Sequence, residues 1–172
     1  MKYATALKVG KLVAPFSEEA EEIAKSVANH TVFCWNKSCS TGGLLLPNGL
    51  VVTPHGNRNK ILVHFQDTDE TVSEASLLAT QNGFAIFQAN PFIQTSRVGH
   101  DHTSVGAFVF AYVFGELFVY EKLPPEKRSK NLFHFPLCGT PIFTRQGQVA
   151  GIITAKPHKH VIGFITDFPL PQ

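Results

Sequence analysis

Apolar residues recur with helical spacing in one stretch of the chain. In PFSEEAEEIAKSVANH, residues Phe16, Ala20, Ile23, Ala24 and Val27 share one face of a 3.6-residue turn. Ser17 stands where an N-cap would. Glu18, Glu19, Glu21 and Glu22 follow it, which suits the positive end of a helix dipole. The spacing predicts a surface helix packed on a sheet. From Thr31 onward the pattern changes to short apolar runs: TVFCW, TGGLLL, LVVTP, KILVHF, GFAIFQA, GAFVFAYVF, ELFVYEKL, GTPIF, QVAGIITA and VIGFITDF. Pro47-Asn48-Gly49 between two of them is a strong hairpin signal, and Gly147 and Pro157 mark further turns. Runs of this length and rhythm predict an all-β, antiparallel barrel architecture behind one amphipathic helix. The charged, Pro-containing stretch KLPPEKRSKN at 122–131 is expected to be an exposed loop.

Composition narrows the function without choosing it. With 172 residues, 44% hydrophobic and 16% charged, the chain can bury a core and is neither a disordered tail nor a membrane protein by composition. A formal charge of +2 and a pI near 8.5 permit nucleic-acid binding but do not signal it. Fifteen Phe against one Met and one Trp fit aromatic, β-rich packing. Three cysteines at irregular spacing argue against a disulfide framework and fit a reducing compartment. No run approaches a spanning helix, and the start lacks the pattern of a secretory signal, so a soluble intracellular protein is expected.

Candidate chemistry sits at two strand ends. Cys138 directly precedes Gly-Thr-Pro in FHFPLCGTPIFTRQGQVAGIIT, where a tight turn would present its side chain. His55 ends the strand GLVVTPH and is followed by Gly56 and a polar run. A thiol needs a base to take its proton before it can attack a carbonyl, and an imidazole is the usual one. Each residue also has a plain reading, Cys138 as an unreactive buried thiol and His55 as a solvated loop residue. Metal ligation is not expected. Cys34 and Cys39 enclose four residues, and the pairs in HDH (100–102), which flanks Asp101, and HKH (158–160) have no second short-spaced pair of Cys or His ligands beside them of the kind strong zinc sites show.

The order of these motifs resembles the picornain (3C-like) cysteine proteases of positive-strand RNA viruses, which have a chymotrypsin fold. The resemblance rests on a helix before the first strand, the strand GLVVTPH, the segment NGFAIFQANP and the Cys-Gly hairpin CGTPIFTRQGQVAGIIT. It implies two antiparallel six-stranded-type β-barrels, trypsin/chymotrypsin-like. Residues 1–28 would form the N-terminal segment and helix, 29–95 the barrel with His55, and 96–172 the barrel with Cys138. It also implies a thiol endopeptidase with Cys138 as nucleophile, His55 as general base and acid, and the amides of Cys138 and Gly139 near the oxyanion. Thr140, Ile152, Ile153, Thr154 and Ala155 would line the substrate pocket, the strand at 152–155 adding to a substrate strand. No cofactor is implied. The partners would be viral polyprotein and host proteins in the host cell cytoplasm, with weak RNA binding.

Three positions depart from the family pattern. Gly83, with Asn82 beside it, stands where the family has an acid, so Asn82 or Glu74 would have to orient the imidazole. Pro136 stands where a glycine N–H helps to form the oxyanion hole, and proline has no N–H to donate. Thr154 replaces a pocket His, leaving Thr140, His134, His158 or His160 as donors to a substrate side chain. These departures keep open an alternative, a catalytically impaired pseudoprotease acting as an RNA- or protein-binding module. ANPFIQTSRVGH, the segment matching the family's RNA-binding region, holds one Arg, and Lys2, Lys8 and Lys11 are the better basic candidates.

Overall fold

The computed structural model describes residues 18–36, 39–54, 59–67, 69–81, 83–101, 108–113, 115–120, 138–156 and 159–163. Helix α1 spans Ala20–Ala28, and Glu19 occupies its N-cap without a side-chain cap bond. The expected cap Ser17 and the apolar Phe16 lie outside the described residues. Ala20, Ile23, Ala24 and Val27 are buried as their spacing predicts, and Ala28 joins them. Thr31 closes the helix end, its hydroxyl donating to the Val27 carbonyl at 2.7 Å.

Six strands follow and close into an antiparallel barrel: β1 (Thr31–Asn36), β2 (Cys39–Leu45), β3 (Leu50–Pro54), β4 (Lys60–Phe65), β5 (Val72–Gln81) and β6 (Phe84–Asn90), in the order β1-β2-β3-β6-β5-β4. The β2–β3 hairpin forms where Pro47-Asn48-Gly49 predicts it. Asn48 and Gly49 both take positive φ (64° and 77°), the handedness a tight hairpin needs. A second sheet contains β7 (Val109–Val113), β8 (Glu116–Tyr120), β9 (Pro141–Phe143), β10 (Val149–Lys156) and β11 (Lys159–Gly163), in the order β11-β10-β9-β7-β8. This corrects the expected pair of barrels. Among the described residues the second half is an open five-stranded sheet. The loop expected at 122–131 lies outside them.

Side-chain alternation explains how the halves join. Barrel strands have a period of two, so one set of residues points inward and the other outward. Val32, Cys34, Leu45, Val51, Val63, Phe65, Ala85 and Phe87 fill the barrel. On β4 and β5 the other set is polar or exposed, as at Glu74 and Ser76. On β2, β3 and β6 the outward set is apolar as well. Leu44, Val52, Phe84 and Ile86 pack in one cluster with Ile23 and Val27 of α1 and with Phe110, Tyr112, Phe143 and Ile152 of the second sheet. The barrel wall that carries β3 is therefore buried on both faces, and Pro54 ends β3 on the side where the second sheet docks. No helix among the described residues is long and apolar enough to cross a membrane.

Candidate active site

Cys138 and Gly139 form a turn just before β9, and that turn is bolted to both halves. The Gly42 amide on β2 donates to the Cys138 carbonyl at 2.7 Å. On the other side the Gly139 amide donates to the Ile153 carbonyl at 2.7 Å, and the Ile153 amide donates to the Thr140 carbonyl at 3.0 Å. Gly139 has φ +91°, and a Cβ there would fall on the Gly42 carbonyl and stand 2.9 Å from Pro54 Cδ. Only a residue without a side chain fits so close to two backbone segments. Gly42 is equally tight, with Thr140 N 2.7 Å from its absent Cβ. Cys138 itself is half-buried, with its thiol 3.7 Å from the Ile153 carbonyl it can donate to.

The turn therefore meets the barrel at Pro54, and the next residue in the chain is His55. His55, Asn82 and Pro136 lie outside the described residues. The strand register still fixes what lies level with Pro54. Pro54 pairs with Phe84, and Phe84 pairs with Gln81. Gln81 and Phe84, at the facing ends of β5 and β6, therefore lie at the Cys138 end of the barrel. Gln81, which the sequence reading did not single out, sits on the same row.

Glu74 does not. It pairs with Asn90 at the other end of β5, seven residues from Gln81, about 20 Å at strand rise, and its side chain is exposed. Glu74 is thus far along the barrel from the row of Pro54, the residue before His55 in the sequence. An exposed charge at that range is screened at physiological ionic strength, where the Debye length is about 8 Å. Glu74→Gln is accordingly expected to leave kcat/KM within about twofold of the wild type in a peptide-cleavage assay. A loss comparable to that of a His55 variant would overturn the placement.

Two further expectations need correction. The Gly139 amide was expected near an oxyanion, but its N–H is committed to Ile153 within the fold. Ile152 and Ile153 were expected to line a substrate pocket, yet both are fully buried, and Thr140 is 1% exposed against Gly42. At Ile152–Ile153 strand β10 is occupied on both sides, by β11 and by β9 with its preceding turn. From 154 to 156 the pairing among the described residues is with β11 alone. The side chains of Thr154, Ala155 and His160 lie outside the described residues, as do His134, His158 and the N-terminal lysines.

The thiols differ in kind. Cys34 points into the barrel, 2% exposed, and burial pushes its thiol up to about 12, so it stays protonated and inert at neutral pH. Cys138 is the described thiol with access to solvent. No group of three or more His, Cys, Asp or Glu able to hold a metal ion occurs among the described residues.

Another histidine is placed where it reports on its surroundings. On the outer barrel face, Trp35 Nε1–H donates to His64 Nε2, and the Phe33 ring meets His64 edge-on at 5.6 Å. Burial holds the His64 pKa below its ordinary 6.5. A protonated Nε2 would turn a donor against the indole donor, so protonation breaks the contact. Trp35 is the sole Trp of the chain. Its fluorescence is expected to titrate with a midpoint below pH 6.5, and the step should vanish in His64→Gln. Because the unfolded chain binds the proton more readily, this histidine's contribution to stability is present above about pH 6.5 and lost on acidification. An unchanged fluorescence titration in the variant would remove His64 as its source.

No protein-family model matches the chain, and no curated protein matches it. Among solved structures it is similar to the Rv3671c protease in its inactive form. The TM-score is 0.63 at 13% identity, covering 91% of this chain and 93% of the other. At that identity the likeness establishes a shared fold. The chain thus shares its fold with that protease, built among the described residues from a closed six-stranded barrel and an open second sheet.

Proposed function

We propose that the chain is a cysteine endopeptidase in which Cys138 is the nucleophile and His55 the general base and acid. The observation that supports this reading is the docking of the Cys138–Gly139 turn on Gly42 and Pro54, the residue that directly precedes His55 in the sequence. The fold is shared with a protease, which favours a polypeptide substrate. In this reading His55 takes the thiol proton as Cys138 attacks the scissile carbonyl, and returns it to the leaving amine. Gln81, level with Pro54 in the strand register, is the described polar side chain best placed to hold the imidazole in orientation, in place of Glu74. A substrate strand would add to β10 at 154–156, where the side opposite β11 has no strand pairing among the described residues.

The motif order further supports a 3C-like role, polyprotein processing in the cytoplasm of a host cell. Pro136 is the observation that favours a second reading, an impaired pseudoprotease serving as a binding module. Losing one oxyanion donor costs about 10²–10³ in turnover. Labelling with a peptide chloromethyl ketone separates the two. A working dyad is expected to be alkylated at Cys138 with Cys34 untouched, and His55→Ala should abolish the reaction. Absence of labelling at Cys138 under conditions that alkylate free cysteine would leave the pseudoprotease.

A further inference from the structure

Away from Cys138 a half-open cavity of about 220 Å³ lies where the C-terminal end of α1, the end of β4 and the segment after β6 meet. Strand β2 links the two places. Gly42 touches the Cys138 turn, and Leu45, about 10 Å further along at strand rise, lies in the cavity wall. The apolar part of the lining comes from Ala28, Leu45, Phe65 and Ile93.

The polar part of the lining is rich in acceptors. His30, 7% exposed, sets its Nδ1 3.2 Å from the Leu45 carbonyl, which fixes the proton there and leaves Nε2 as a lone-pair acceptor. Desolvation holds the His30 pKa below its ordinary value, so the ring is neutral at pH 7. The Asp67 carboxylate is held rigid by the Thr71 amide at 2.8 Å and the Thr71 hydroxyl at 2.6 Å. Gln66 spends its amide Nε2 on the Thr31 carbonyl, which leaves Oε1 as an acceptor. Thr95 Oγ1 is buried without a partner, which in a folded protein calls for a ligand or solvent. The last residues of α1 add the negative end of a helix dipole. Neither Lys nor Arg is among the lining residues.

We propose that this cavity binds a guanidinium group on a short aliphatic stem, from an arginine side chain or a free alkylguanidine. A guanidinium carries five N–H donors in a planar fork and can meet more, and more widely separated, acceptors than the three donors of a compact ammonium. The apolar wall suits its methylene stem. A phosphate would meet one fixed carboxylate, a neutral imidazole and a helix C-terminus, all of the wrong polarity, so nucleic acid is disfavoured here. The site is independent of the proteolytic reading.

Titration of the full chain with agmatine and with an acetyl-Gly-Arg-Gly amide peptide, followed by NMR and calorimetry, tests the proposal. Saturable shifts confined to residues 28–31, 66–67 and 93–96 are expected from one or both, and the tighter ligand identifies the source. Asp67→Asn should weaken binding about tenfold, as expected for loss of a charge-assisted hydrogen bond. Thr95→Ala should weaken it by about threefold, and decides the matter if the Asp67 variant does not fold. Absence of saturable shifts at these residues, equal affinity in the folded variants, or preferential binding of inorganic phosphate or an RNA oligonucleotide at the same residues would overturn it.

Discussion

Cys138→Ala is expected to lower cleavage of a peptide library or a denatured protein by about 10⁴-fold or more, leaving only the residual catalysis that binding supplies. A nucleophile has no substitute in a covalent mechanism, whereas its loss should hardly touch the fold. The thiol is half-buried and makes a long contact to the Ile153 carbonyl at 3.7 Å. A change in stability within about 1 kcal/mol is expected, read from denaturant unfolding. The two measurements together separate chemistry from folding. Wild-type cleavage by the folded variant would remove Cys138 from the mechanism.

The second large effect belongs to its neighbour. Gly139→Ala should destabilise the protein by about 3 kcal/mol or more and abolish cleavage with it. The cost has two parts. One is the left-handed backbone at φ +91°, and the other is a methyl group driven into the Gly42 carbonyl and Pro54. Gly83→Ala separates them. Gly83 has φ +82° but nothing within 4 Å of its missing Cβ, so its cost should stay at about 1–2 kcal/mol. Equal losses at the two positions would show that backbone handedness alone matters and that the turn is not wedged against β2 and β3.

Most of the fold could be read from the pattern of residues, with one gap that has a clear cause. Strand β5, VSEASLLATQ, went unrecognised because its inward positions at Ser73 and Ala75 are small, where a large apolar alternation would have announced it. Its length has a second consequence. It carries Glu74 to one end and Gln81 to the other, so an acid close in sequence to the site is remote in space. The apolar runs at β2, β3 and β6 were legible as strands, but not that both of their faces are buried, since that depends on which wall the second sheet covers. The same ambiguity misled the pocket assignment. Ile152 and Ile153 lie near Cys138, but β10 is there an interior strand. The Cys-Gly motif was legible because the left-handed backbone at 139 is a local demand that glycine meets. The commitment of its amide to Ile153 was not, because that bond depends on strand register.

Leu44, Val52, Phe84 and Ile86 share one continuous filling with α1 and the second sheet. Halves joined in this way cannot swing apart like jaws without wetting that filling. Any movement that changes access to Cys138 therefore falls to the surface segments around it, while the packing beneath stays fixed.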